Sequence, residues 1–203
     1  MKLYYYPGAC SMAAHIVLRE AGYDFELERV DLASKTTASG EDYLRVNAKG
    51  YVPALRLDNG EVLTEDVVIL QYLADLKPST RLSPLAGGLE CYRQMEWLNF
   101  IATELHKTLG ALFNPGMTPE WKSHLLALFE KRATWLSQRL GTQPYLMGEN
   151  FSIADAYLFT VLGWCSLFGI DLGRWPNLQE YLARIASRPA VRAAMHAEGL
   201  HDA

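Results

Sequence analysis

Residues 2–20, KLYYYPGACSMAAHIVLRE, hold the signals that decide the fold. Lys2–Tyr6 is predicted to form a β-strand that ends at Pro7-Gly8, because the run is rich in aromatic residues and the Pro-Gly pair favours a turn. Ser11–Glu20 is predicted to form a helix that is stopped at Gly22. A strand, a turn and a helix in this order indicate the start of an α/β unit.

The next segments complete this unit. The predicted elements are, in chain order, a strand at 25–30, a short helix at 43–46, strands at 52–57 and 62–63, and a helix at 65–74. Asn59-Gly60 joins the last two strands and favours a hairpin, since Asn-Gly readily adopts the positive φ of a type I′ turn. The order β-α-β-α-β-β-α predicts a small α/β domain.

The rest of the chain has a helical pattern. Residues 77–88 are rich in Pro, Ser and Gly, which suits a linker, and helical periodicity then runs from Leu89 almost to the end. This pattern is interrupted at residues 114–116, 141–144 and 174–176. We therefore expect two domains, an α/β domain at residues 1–80 and an all-helical domain at residues 88–203.

The composition excludes several classes of protein. Of 203 residues, 50% are hydrophobic and 21% are charged, which rules out intrinsic disorder. The chain has 19 Lys and Arg residues against 23 Asp and Glu residues, a net charge of −4. It therefore lacks the basic footprint of proteins that bind nucleic acid or anionic membranes, and we expect neither partner.

Targeting signals and cysteine usage point to the cytoplasm. Pro7-Gly8 interrupts the N-terminal apolar residues too early for a signal peptide. The apolar run at 156–170 has 15 residues, fewer than the ~17 to 20 of a membrane span. Ser152 and Asp155 form a capping box in front of it, so we expect a buried helix. Three cysteines cannot form a disulfide framework, and the odd count favours a reducing compartment.

Cys10 follows the Pro-Gly turn at the predicted start of the first helix. Unpaired amides and the positive end of the helix dipole stabilise an anion there, so we expect the thiol to shift toward the reactive thiolate. The alternative is a small buried apolar side chain, the common fate of a free cysteine. Cys91 and Cys165 lie in apolar helical segments and are predicted to be structural.

A polar stripe is predicted on one helix of the second domain. At 100° per residue, Asn99, Thr103 and His106 lie within about 60° of one another on an otherwise apolar helix, which indicates contact with solvent or a ligand. The alternative for His106 is a hydrogen bond to a neighbouring carbonyl. The other histidines lack partners at metal-ligand spacing, so no metal site is expected. They are His15, His124, His196 and His201.

Several motifs recur in a known order and spacing along the whole chain. They are KLYY at 2–5, PGACS at 7–11, YVPAL at 51–55, LTE at 63–65, QYLAD at 71–75, EWLNF at 96–100, ELHK at 104–107 and FSIADAYLF at 151–159. This set resembles the cytosolic glutathione transferases, most closely their bacterial beta class. The resemblance implies a thioredoxin-like glutathione-binding domain followed by an all-helical domain that contributes the second-substrate site. It also implies a homodimer with glutathione as cosubstrate.

The resemblance further implies the residues of the site. Cys10 and His106 are implied to be catalytic, with His106 facing Cys10 and the glutathione sulfur across the domain interface. Lys35 and Glu65 are implied to bind the glycine carboxylate and the γ-glutamyl ammonium of glutathione. Val52-Pro53 resembles the family's cis-proline element, in which the Val52 backbone pairs with the peptide. The implied glutathione site is Ala9, Cys10, Ser11, Lys35, Val52, Pro53, Glu65, Asp66, Asn99, Thr103, His106 and Lys107.

Several of these residues have a simpler explanation. Lys35 in a polar loop is ordinarily solvated, and Glu65 suits a helix start through the dipole alone. Ser11 either donates to the ligand sulfur or caps its helix. Asp66 departs from the family pattern of a small neutral residue, and its carboxylate is expected either to repel the ligand carboxylate or to cap the helix. One of three adjacent tyrosines could assist the sulfur, although strand packing is the commoner role. They are Tyr4, Tyr5 and Tyr6.

The predicted function is conjugation of glutathione to electrophilic small molecules, a detoxification activity. One alternative is a thiol-disulfide reductase or dehalogenase that acts through a mixed disulfide between Cys10 and glutathione. Ala13 stands at the position of the second cysteine of a Cys-x-x-Cys motif, so a dithiol cycle is excluded. A noncatalytic ligand-binding protein is the alternative from another class, but it would need neither Cys10 nor His106. The second substrate would meet helical residues such as Phe113 or Trp164.

Overall fold

The computed structural model describes residues 1–200 of the chain, so His201 lies outside the described residues. The first part of the chain forms a five-stranded sheet and two helices. The strands are β1 (Lys2–Tyr5), β2 (Glu26–Asp31), β3 (Thr36–Thr37), β4 (Ala54–Arg56) and β5 (Val62–Thr64). The helices are α1 (Ser11–Glu20) and α2 (Asp66–Leu76).

The sheet has the strand order β3-β2-β1-β4-β5. β1 pairs in parallel with β2 and antiparallel with β4, and the predicted hairpin of β4 and β5 is antiparallel. The Val52–Pro53 peptide bond, just before β4, is cis. Two details differ from the prediction. The helix expected at 43–46 is a short 3₁₀ turn, Tyr43–Arg45, and the two-residue strand β3 is too short to leave a periodic pattern in the sequence.

The second part of the chain consists of helices. They are α3 (Leu89–Phe100), α4 (Lys107–Ala111), α5 (Pro119–Leu140), α6 (Ile153–Gly163), α7 (Pro176–Ala186) and α8 (Pro189–Ala197). A π-helical segment, Ile101–His106, joins α3 directly to α4. The capping box predicted at Ser152 and Asp155 opens α6. Among residues 1–200, none of the helices is both long and apolar enough to cross a membrane.

One hydrophobic core connects the sheet to the helical part. α1 is buried from Ser11 to Leu18 and packs against α2, α6 and α8. Side chains from both parts therefore belong to one buried cluster, which includes Ile16 of α1 and Tyr157 of α6. A smaller cluster contains Tyr4, Val30, Tyr43, Val52 and Ala54. The predicted α/β and all-helical architecture is confirmed, while the domain boundaries at residues 80 and 88 stay a prediction.

Candidate functional site

The loop that carries Cys10 is held by the helical part of the molecule. Gly8 has a φ of +71°, in the left-handed region that glycine adopts without steric cost. Its N–H donates to Glu198 Oε2 at 2.9 Å, and its carbonyl accepts from Trp164 Nε1 at 2.8 Å. Glu198 follows α8 and Trp164 follows α6, so two helices fix the backbone just before α1.

The Cys10 thiol points to the cis-proline segment. Its Sγ donates to the Val52 carbonyl at 3.2 Å, and the residue is half-buried. Burial raises the pKa of the thiol well above its usual value, and the charge of Asp66 raises it further. The backbone amides of Ser11 and Cys10, together with Lys107, lower this pKa by less. The prediction of a thiolate at Cys10 is therefore wrong, because removal of the thiolate from water outweighs the amides of the helix start.

The Ser11 hydroxyl is buried and faces the backbone of Tyr6. It accepts from the Tyr6 N–H at 3.3 Å and donates to the Tyr6 carbonyl at 3.3 Å. Within the described residues, the hydroxyl bonds to the Tyr6 backbone and to no amide of α1, so the capping alternative is wrong. Tyr4 and Tyr5 are buried in the sheet, where burial raises the pKa of both phenols. Both tyrosines therefore have the packing role that the strand pattern predicts.

Glu65 lies between β5 and α2 with a φ of +71°, a region that L-residues other than Asn and Asp seldom adopt. Its carboxylate forms an ion pair with Lys49, whose ammonium also donates to Thr64 Oγ1 at 2.8 Å. Lys35 Nζ donates to the Gly50 carbonyl at 2.9 Å and is not simply solvated. Glu65 and Lys35, the two charged residues expected to bind glutathione, thus have partners within the chain.

Asp66 is the first residue of α2, and its carboxyl group is buried. Neither Oδ atom has a hydrogen-bond partner in the described part of the chain, so the prediction that Asp66 caps the helix is wrong. Burial raises the pKa of this carboxyl well above its usual value, and the Glu65 charge adds to the rise. The prediction that Asp66 repels the ligand carboxylate assumed an ionised side chain. Burial favours the protonated form instead, so this prediction is corrected as well.

His106 ends the π-helical segment and faces α6. Its Nδ1 lies 2.6 Å from Tyr157 Oη, and its ring meets the Trp164 indole edge to face with centroids 5.0 Å apart. Burial lowers the pKa of His106 to about 4, and the charge of Lys107 adds to the shift. The ring is therefore neutral at pH 7. The alternative for His106 was a hydrogen bond to a neighbouring carbonyl. The observed partner is instead the hydroxyl of Tyr157, which corrects that alternative.

The predicted polar stripe does not form as a single face. Bonding from i to i+5 in the π-helical segment widens the turn, so the spacing of 100° per residue does not hold there. Asn99 and Thr103 are exposed, and Thr103 Oγ1 donates to the Asn99 carbonyl at 3.0 Å. His106 is instead turned inward against α6, while Lys107 is exposed.

Aromatic side chains extend from His106 toward the surface. Phe113 packs edge to face against Trp164 and Phe168, with ring centroids 5.6 Å and 4.8 Å apart. Phe113 is 52% exposed, so part of this cluster faces solvent. The two residues expected to meet the second substrate, Phe113 and Trp164, are therefore in contact with each other beside His106.

Three residues of the site are missed by the sequence analysis. Lys49 pairs with Glu65, Tyr157 bonds to His106, and Glu198 holds Gly8. Tyr157 lies inside an apolar run, and each of these roles depends on a tertiary contact that leaves no local pattern. Within the described residues, no three His, Cys, Asp or Glu side chains form a group that could hold a metal.

Comparison with known proteins gives matches over both parts of the chain. A family model described as "Glutathione S-transferase, N-terminal domain" matches residues 8–76, and one described as "Glutathione S-transferase, C-terminal domain" matches residues 119–184. The Escherichia coli O157:H7 protein "Glutathione S-transferase GstA" is 47% identical over 98% of this chain and 100% of its own length.

Solved structures match the whole fold as well. A sphingomonad glutathione S-transferase complexed with glutathione has a TM-score of 0.95 and 46% identity, over 99% of this chain and 100% of that one. The bacterial beta class glutathione S-transferase of Sphingomonas chungbukensis has a TM-score of 0.96 and 47% identity, again over 99% and 100%.

Proposed function

The chain belongs to the glutathione S-transferase family, and we propose that it conjugates glutathione to electrophilic small molecules as a detoxification enzyme. The observation that carries this proposal is the hydrogen bond from Cys10 Sγ to the Val52 carbonyl. This bond brings together the start of α1 and the segment before β4, the two segments that the family resemblance assigns to the ligand sulfur and the peptide.

Glutathione would lie along this edge of the sheet, with its γ-glutamyl ammonium at Glu65 and its glycine carboxylate at Lys35. The ammonium would replace Lys49 as the partner of Glu65. This exchange costs little, because an exposed ion pair contributes only about 0–1 kcal/mol. The Val52 backbone would pair with the peptide. The other proposed contacts are Ala9, Ser11, Pro53, Asp66, Asn99, Thr103 and Lys107.

On binding of glutathione, the neutral Cys10 thiol would turn its one proton from the Val52 carbonyl to the glutathione sulfur and donate a hydrogen bond to it. Donation to a thiolate stabilises its charged form, so glutathione would lose its thiol proton more readily. The thiolate would then attack the electrophilic carbon, forming a C–S bond as the leaving group departs with its bonding electrons. The neutral His106 ring would lie beside the reacting sulfur, with one ring nitrogen able to accept a proton and one N–H able to donate a hydrogen bond.

The partners and compartment are also part of the proposal. The aromatic cluster of Phe113, Trp164 and Phe168 suits an apolar second substrate. Exposed apolar side chains such as Tyr51, 71% exposed, and Met95 would be buried in an isologous homodimer. All three cysteines are free, which supports a reducing compartment such as the cytoplasm.

The purified chain should bind immobilised glutathione, sediment as a dimer of two 22.8 kDa subunits, and conjugate glutathione to a chlorodinitrobenzene. His106→Asn should lower kcat by about tenfold or more, since proton transfer or its hydrogen bond is lost. Cys91→Ala, a buried cysteine on α3, should leave the rate unchanged.

Two results would count against this proposal. Failure to bind glutathione, together with a monomeric mass, would contradict the function and the assembly. Loss of all conjugation in Cys10→Ala, with a glutathione adduct on Cys10 in the unmodified chain, would instead favour the mixed-disulfide alternative.

A further inference from the structure

The hydrogen bond between His106 and Tyr157 is short and buried at its tyrosine end. His106 Nδ1 lies 2.6 Å from Tyr157 Oη, and Tyr157 on α6 is 2% exposed. Burial lowers the pKa of His106 to about 4, so at pH 7 the ring is neutral and carries one proton. In a neutral imidazole that proton sits on either nitrogen, and the hydrogen bond at Nδ1 decides which one.

The direction of this bond follows from the hydroxyl's other options. Among residues 1–200, Tyr157 Oη forms a hydrogen bond with His106 alone. If Nδ1–H donated to the phenol oxygen, the buried hydroxyl proton would have no acceptor, which is costly. If the hydroxyl donates to Nδ1, no buried donor of the pair lacks an acceptor. The contact therefore favours the tautomer in which Nε2 carries the proton.

The Nε2 edge of the ring is accessible and lies near the loop of Cys10. Within residues 1–200, Nε2 has no hydrogen-bond partner and is not among the buried polar atoms that lack one. Gly110 beside it has no side chain to cover it, since a Cβ there would lie 4.0 Å from Nε2. Trp164 packs on the His106 ring, with centroids 5.0 Å apart, and its Nε1 donates to the Gly8 carbonyl at 2.8 Å. The indole thus joins His106 to the loop that carries Cys10.

We propose that Tyr157 is a positioning residue, which donates to His106 Nδ1 and thereby makes Nε2–H a hydrogen-bond donor to the glutathione sulfur. In this tautomer the Nδ1 lone pair is engaged by the hydroxyl, and Nε2 has no lone pair to offer. His106 therefore stabilises the thiolate and does not act as its base. The thiol proton of glutathione goes to solvent. The role toward glutathione rests on the proposed function, whereas the tautomer of His106 does not.

Nuclear magnetic resonance of the full-length protein with ¹⁵N-labelled histidine tests the tautomer at pH 7 without glutathione. The chain has five histidines, and loss of one set of signals in His106→Asn identifies those of His106. Nε2 should resonate where protonated imidazole nitrogens do, and Nδ1 where unprotonated ones do. The reverse pattern, an average of the two, or protonation of both nitrogens would overturn the proposal.

Tyr157→Phe tests whether the hydroxyl sets this tautomer, because it removes only the oxygen. Both His106 nitrogen shifts should move toward the average of two exchanging tautomers, and unchanged shifts would overturn the role of Tyr157. Tyr23→Phe removes a hydroxyl that donates to the Leu73 carbonyl at 2.7 Å, and it should leave the His106 shifts unchanged. If Tyr157→Phe does not fold, the spectrum of the unmodified chain still decides the direction of the bond.

Conjugation kinetics test the role toward glutathione. Tyr157→Phe should lower kcat with a chlorodinitrobenzene by about threefold or more, with a smaller change in KM for glutathione. Because Tyr157 acts through His106, the same change should have no further effect in a His106→Asn background. An equal loss in both backgrounds would mean that Tyr157 only stabilises the fold, and it would overturn the positioning role. Absence of conjugation in the unmodified chain would count against the proposed function and leave the tautomer unaffected.

Discussion

The His106 side chain lies between a hydroxyl and an indole, and neither carries a charge that would stabilise an imidazolium ion. Tyr157 Oη, 2.6 Å from Nδ1, stays protonated because burial raises its own pKa. Trp164 shields the other side of the ring with an edge-to-face contact. Burial lowers the pKa of His106 to about 4, against an ordinary value of 6.5. Because the folded chain disfavours a protonated His106, this residue lowers the free energy of unfolding in acid.

Between pH 6.5 and 4 the unfolded chain binds a proton at His106 that the folded chain does not bind. The free energy of unfolding should therefore fall as the pH is lowered through this window, by at most about 3 kcal/mol, and be unaffected by His106 above it. His106→Asn should remove this part of the pH dependence in urea denaturation at pH 7, 5.5 and 4.5. The exposed His124→Asn variant should retain it, and equal pH slopes in the two variants would disprove the prediction.

At the same scale, the sequence identifies several residues of the candidate site but not their ionisation. The place of Cys10 before a helix predicts a role in the site, and this role stays a prediction; its Sγ contacts the Val52 carbonyl. Its protonation depends on how much water the fold removes and on Asp66, which is 56 positions away in the chain. The charge states of Cys10 and Asp66 are tertiary properties, so a local motif cannot reveal them.

At the scale of single elements, the start of α6 depends on one buried carboxylate. Asp155 Oδ1 accepts from Leu146 N and Tyr181 Oη, both at 2.8 Å. Its Oδ2 accepts from the Ser152 amide at 2.8 Å and from the Ser152 hydroxyl at 2.7 Å. The carboxylate therefore ties the first turn of α6 to the preceding loop and to α7.

Asp155→Ala should destabilise the protein by about 3 kcal/mol or more, because it leaves several buried donors without an acceptor and each costs about 1–3 kcal/mol. Urea denaturation at pH 7 measures this loss. Asp171→Ala removes an exposed carboxylate that accepts from the Gly173 amide at 2.8 Å, and it should cost about 1 kcal/mol or less. Similar losses in the two variants would show that Asp155 does not have this role.

Elements with a periodic pattern or a strong end signal are predictable from the sequence. α1 begins and ends at the predicted residues, the hairpin of β4 and β5 follows from Asn59-Gly60, and the capping box marks α6. The π-helical segment at 101–106 is not predictable in this way. Its apolar pattern is still helical, and its packing against α5 and α6 is a tertiary contact that leaves no local pattern. For this reason the prediction that His106 shares one polar face with Asn99 and Thr103 is wrong.

At the scale of the whole molecule, the loop that carries Cys10 is part of the interface between the sheet and the helices. Glu198 Oε1 lies 2.8 Å from His15 Nδ1, and its Oε2 accepts from the Gly8 amide. His15 Nε2 accepts from Arg19 Nε at 2.8 Å, so Nδ1 carries the proton and donates to Glu198. Trp164 holds the Gly8 carbonyl from the other side. The C-terminal helices thereby set the position of Cys10.

Glu198→Ala should leave the buried His15 Nδ1 and the partly buried Gly8 amide without an acceptor, at about 1–3 kcal/mol for His15 and less for Gly8. Trp164→Phe removes the second bond to Gly8 but keeps an aromatic ring. Because both bonds fix the backbone of the same residue, Gly8, the double variant should depart from additivity by about 0.5 kcal/mol or more in urea denaturation. Cys10 should be alkylated faster in each single variant. Glu149→Gln, at an exposed position, should change neither quantity. Additive losses with unchanged alkylation of Cys10 would mean that Glu198 and Trp164 stabilise the helical part without positioning the loop.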